Sequence, residues 1–148
     1  MNLSTASAIG AFANKNVGAN KAVTAAGFSI SGIDATNYTL IQPLGLTANI
    51  TAANLNITST LGTDKVYNAN TVDTLNVASS ALSGKFVGDT VNLSTASAIG
   101  AFADKNVGTN KAVTALGFSI SGIDVTYYTL IQLLSFTTPI KAANLNIH

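Results

Sequence analysis

Apolar and polar side chains alternate along most of this chain, and no helical period competes with that pattern. Lys21–Ala25 puts Val23 and Ala25 on one face, and the alternation resumes with Phe28 and Ile30 beyond Gly27. Leu46, Ala48 and Ile50 line one face of a later segment, and Asn54–Ile57 alternates cleanly. Thr74–Val77, Leu82–Val87 and Val91–Leu93 are further strand candidates, while Ser4–Phe12, rich in Ser and Ala, has the weakest pattern. A period of two marks half-buried strands. A glycine that interrupts it, as Gly27 does, marks a bulge or a bend between sheets. The chain therefore reads as all-β.

The pattern occurs twice. Asn2–Ile57 returns as Asn92–Ile147 at an offset of ninety residues without a gap, and 45 of the 56 aligned positions are identical. Such self-similarity sets the architecture before any local signal does. Ninety residues is too long for one coil of a solenoid and suits one small β-domain. The natural unit spans residues 51–140. Residues 1–50 are then the C-terminal part of one repeat, and residues 141–148 the opening strand of a following one. Thr51–Ala53 is a short join that limits bending.

Within the unit, Gly- and Asn-rich turns recur every eight to twelve residues. That spacing implies seven to nine strands, as an immunoglobulin-like β-sandwich requires. Asp34 precedes Tyr38 by four residues, as Asp124 precedes Tyr128. This is the spacing of a tyrosine corner, in which the hydroxyl bonds back to nearby backbone. Leu40 and Leu130 stand where antibody domains carry a cysteine. Phe12, Phe28, Phe102 and Phe118 are expected in the core. Tyr127, beside the corner, should point away from it and, with Tyr67, offers a possible exposed contact.

Composition narrows the chemistry. Charged residues make up 9% of the 148, all of them Lys or Asp, and the net charge is +1. Without Arg or a basic run there is no field to attract nucleic acid. Without Cys there are no disulfides, thiol nucleophiles or thiolate metal sites. The single His is the terminal His148, which leaves no triad to build. Glycines are scattered without a phosphate-binding fingerprint. The six aspartates are well separated, and calcium needs several carboxylates close together; Asp64, near a join, is the best placed of them. We therefore expect no catalytic residue, cofactor or metal. No apolar run approaches the roughly 20 residues of a membrane span, and Met1–Asn20 lacks the basic start of a signal peptide.

Several stretches resemble a known family. Lys65–Thr71 (KVYNANT) is similar to the opening K-V-Y-D-G-x-T of the YDG-type repeats found in filamentous-haemagglutinin-like exoproteins and adhesins of bacteria. Val87–Val91 (VGDTV), Phe102–Gly108 (FADKNVG), Asn37–Leu40 (NYTL) and Leu46–Thr51 (LTANIT) resemble further segments of that repeat. Asn68–Ala69 departs from Asp-Gly, and Tyr127 from Asn. The resemblance implies an exported bacterial surface protein whose modules are non-enzymatic spacers. Its partners would be neighbouring repeats, copies of itself, a host surface or other cells.

Two alternatives stand beside the spacer. Ala142–Ile147 repeats the opening strand, and a half-unit exposes an unpaired edge. Ala142, Asn144, Leu145 and Ile147 are thus candidates for strand exchange between chains in an extracellular filament. The other alternative is a glycan- or receptor-binding module using Tyr67 and Tyr127.

Overall fold

The computed structural model describes residues 1–132 and 134–147, so His148, the last residue of the 141–148 segment, lies outside the described residues. The chain is all-β and divides into two units, Met1–Ala52 and Ala53–His148.

The N-terminal unit holds β1 (Asn2–Ser4), β2 (Ile9–Phe12), β3 (Gly18–Ala26), β4 (Ser29–Ser31) and β5 (Leu46–Ile50). Strand β3 lies between β2 and β5 in an antiparallel sheet, and β1 pairs with β4. The chain changes sheets at Gly27, whose φ of +88° ends β3. A Cβ there would stand 2.1 Å from the Ser7 carbonyl oxygen, so the bend needs glycine.

The C-terminal unit holds β6 (Ala53–Thr58), β7 (Lys65–Val66), β8 (Val72–Asp73), β9 (Ala81–Ser83), β10 (Asn92–Ser94), β11 (Ile99–Phe102), β12 (Gly108–Leu116), β13 (Ser119–Ser121), β14 (Tyr128–Leu130) and β15 (Leu134–Lys141). Its sheets run β7-β15-β12-β11-β8, β14-β6-β9 and β10-β13. These ten strands among the described residues exceed the expected seven to nine, because several are only two or three residues long. The expected Thr74–Val77 strand reduces to a single bridge between Asn76 and Leu61, with β8 just before it. The expected Leu82–Val87 strand shortens to β9, which Gly84 closes at φ +103°. Short 3-10 helices at Ala35–Asn37 and Val125–Tyr127 were not signalled by any period.

The two copies share their register. Phe12 faces Val23 as Phe102 faces Val113, and the same bulge falls between Gly18 and Lys21 and between Gly108 and Lys111. Asn20 and Asn110 sit in that bulge with φ near +52° and +51°, a conformation asparagine tolerates. Pro139 is placed opposite the second bulge, where the ladder skips its bonds and no N–H is needed.

Packing separates the copies. Every fully buried apolar side chain among the described residues belongs to the C-terminal unit, in three clusters around Leu55, Ile57 and Phe102. Phe102 and Phe118 are core residues, as expected, and Leu130 packs against two of the clusters. Their counterpart Phe12 is exposed and Phe28 half-buried, because the strands that would cover them have no counterpart in residues 1–52.

Candidate functional site

The C-terminal unit is closed by its own first and last segments. Strand β6 pairs in parallel with β14, and β7 pairs in parallel with β15. Both ladders share one offset: Ala53 faces Tyr128 and Lys65 faces Ile140, so residue n meets residue n+75 in each. The segments 53–66 and 128–141 thus run side by side in one direction while passing between two sheets. The chain thus enters the unit beside Tyr128 and leaves it beside Val66.

A long-range clamp holds the loop after β9. The Phe86 N–H donates to Tyr128 Oη (3.0 Å), and that hydroxyl donates to Asp89 Oδ2 (2.5 Å). Beside it the Thr90 N–H donates to Asp124 Oδ2 (2.7 Å), and the Asp124 N–H returns a bond to the Thr90 carbonyl (3.2 Å). The tyrosine-corner expectation placed the hydroxyl's bond on backbone at the entry to its strand. Here the N–H that it accepts from lies 42 residues away, in the loop after β9. Asp124 precedes a 3-10 helix without capping it, which leaves its carboxylate for Thr90. In the N-terminal unit Tyr38 is 61% exposed, against 7% for Tyr128, and Asp34 is exposed as well.

Sequence reasoning missed a second cluster. Lys65 Nζ donates to Asn70 O (2.7 Å), Val72 O (2.9 Å), Asn68 Oδ1 (3.0 Å) and Asn70 Oδ1 (3.1 Å), and lies 5.3 Å from the centre of the Phe102 ring. Four oxygens gather the turn 68–72 around one ammonium. The signal was in the sequence, as a lysine followed by two asparagines, but the spacing alone does not show that they converge. Asp64, Lys65, Asn68, Asn70 and Asp73 line a cavity of about 270 Å³. Asp64 itself accepts the Thr138 hydroxyl (2.5 Å) and lies 3.8 Å from Lys141 Nζ.

Asp73 is almost wholly buried. Its Oδ2 accepts the Thr63 N–H (3.3 Å), while Oδ1 has no hydrogen-bond partner among the described residues. Burial raises its pKa above the usual carboxylate value, against the opposing pull of the Thr63 N–H and of Lys65. In contrast, Asp104 is held low by the hydrogen bond from Lys111 and then by the Asn106 N–H.

The two aromatic candidates separate. Tyr67 is exposed, with Lys105 Nζ 5.9 Å from its ring centre. Tyr127, expected to face outward, is partly buried instead and packs on the Leu55 cluster. No cluster of three or more metal-binding side chains occurs among the described residues.

Ala142, Asn144, Leu145 and Ile147 lie in an exposed segment without strand pairing. Leu145 is 97% and Ile147 101% exposed. The same six residues, AANLNI, at positions 52–57 supply β6, where Leu55 is 0% and Ile57 5% exposed.

A family model described as the YDG domain matches residues 2–45 and 51–137. No curated protein and no solved structure matches.

Proposed function

Because the chain belongs to the YDG domain family, we propose that it is a non-enzymatic stalk or fibre segment of a bacterial cell-surface exoprotein. In this reading the protein is adhesin-like and exported, and its units are sandwiches of immunoglobulin type set in tandem. The supporting observation is the parallel pairing of first and last segments at one offset in the C-terminal unit. First and last segments that run in one direction suit a unit set in line with others in a stalk. Tension on its ends pulls both ladders along their length, so several hydrogen bonds must yield together. The chain crosses from β5 to β6 in two residues, which suits a spacer. The sequence has no Glu, Cys or Arg.

A glycan- or receptor-binding role has less support. It needs an aromatic platform, and Tyr127 packs on the core while Lys105 overlies Tyr67.

Pulling the full chain by its termini in a force spectrometer tests the stalk. The C-terminal unit should yield in one step and release the roughly 300 Å length of about ninety extended residues less the folded distance between its ends. Gradual extension without a resolved force peak would count against the role.

A further inference from the structure

We propose that the Lys65 amine and the Asn70 side-chain amide of the folded chain join spontaneously in an intramolecular isopeptide bond. The reactants already touch. Lys65 Nζ donates to Asn70 Oδ1 at 3.1 Å, which leaves it no more than about 4.3 Å from the Cγ that it would attack. A shift of about 1 Å closes that gap to reacting distance. The same Asn70 oxygen accepts the Val72 N–H (3.1 Å), so a backbone donor stands ready for the negative charge that develops there. Asn68 is the competing amide, with its Oδ1 3.0 Å from Nζ, but its backbone donor, the Asn70 N–H, stands farther off at 3.4 Å.

The surroundings suit the reaction. Lys65 is half-buried, with Nζ 5.3 Å from the centre of the Phe102 ring. Asp73 lines the same cavity as Lys65 and Asn70. It is almost wholly buried, and its Oδ1 has no hydrogen-bond partner among the described residues, so that oxygen has no structural duty and can carry a proton. Burial raises its pKa and makes it a stronger base than an ordinary carboxylate. Between the two asparagines Ala69 is held at φ +67°, a left-handed conformation that a side chain resists. Backbone strain of this kind gathers where the surroundings fix a reacting group.

The step balances within the chain. The Lys65 ammonium first releases a proton to water. As the resulting amine attacks Asn70 Cγ, Asp73 takes a second proton from Nζ and returns it to Asn70 Nδ2 while the Cγ–Nδ2 bond breaks. An Nζ–Cγ amide forms and ammonia departs into solvent, to which Asn70 is exposed. Nothing is oxidised or reduced, and no co-reactant is consumed. The bond joins residues five apart, so it adds little to global stability. Its effect is local: it locks the turn that follows β7, an edge strand of its sheet, and removes a site of proteolysis. It goes beyond the stalk reading and holds whatever the force trace of the chain shows.

Intact mass spectrometry of the purified full chain, incubated at mildly alkaline pH to raise the amine fraction, reads the bond directly. The mass should fall below that of the sequence by one ammonia molecule, and trypsin should no longer cut after Lys65. Lys65→Arg and Asn70→Ala should each keep the full mass, whereas Asn68→Ala should still lose ammonia. Asp73→Asn should slow the loss at least about a hundredfold by removing the proton carrier. A parent chain that keeps its full mass would overturn the proposal. So would ammonia loss that survives Lys65→Arg, which marks a succinimide at an asparagine, loss that depends on Asn68 instead of Asn70, or a rate indifferent to Asp73.

Discussion

Tyr38 and Tyr128 are the same residue in the same local sequence, with opposite surroundings. Tyr128 carries two hydrogen bonds that fix the loop at Phe86 and Asp89, and Tyr38 is mostly in water. Tyr128→Phe should therefore cost about 1–2 kcal/mol in urea denaturation. Tyr38→Phe should stay within about 0.5 kcal/mol. Equal effects would contradict the clamp. Asp73 makes a pH-dependent prediction. A carboxyl whose folded pKa is raised contributes stability that is complete below its unfolded value and is lost as pH rises through the folded one. Asp73→Asn should then raise the melting temperature at pH 7 relative to the parent, and the gain should vanish in acid. A lower melting temperature at neutral pH would mean that the Lys65 charge outweighs burial. The spacing singled out both tyrosines alike. Their partners were not legible, because a bond across 42 residues leaves no local trace.

Strands show most clearly what local sequence can carry. β3 and β12 were legible from the alternation of Lys21–Ala25 and its copy, and the Gly27 bend followed from the break in that alternation. β7 and β8 were not, since two residues have no period. Tyr-Thr-Leu is a strand at 128–130 and not at 38–40, so its state depends on whether β6 or an equivalent lies alongside. The same dependence should appear in dynamics. Strands β3 and β12 make matching ladders, but only β12 covers a closed core. Amides of Val113 and Ala115 should exchange with deuterium at least about tenfold more slowly than those of Val23 and Ala25, as local opening energies require. Equal protection would show that the ladders alone set the rate.

At the scale of the molecule, repetition was the most legible feature, and the all-β class followed from alternation and turns. The course of the chain through the unit was hidden. That first and last segments run parallel at one offset depends on how two sheets close, which no pattern within either segment records. The Lys65 cage, by contrast, is local, its hydrogen bonds reaching no further than seven residues along the chain. Near-identical neighbours also compete for the same partners during folding, a hazard inherent in the design.

The shared register of the two copies has a consequence for how such chains change length. Each strand of residues 2–50 meets partners at the spacing its counterpart meets ninety residues later. Duplicating any ninety consecutive residues, wherever the breakpoints fall, restores every strand to an equivalent neighbour. Unequal crossing-over in the encoding DNA could therefore lengthen or shorten the protein by whole units, with no breakpoint that ruins the fold.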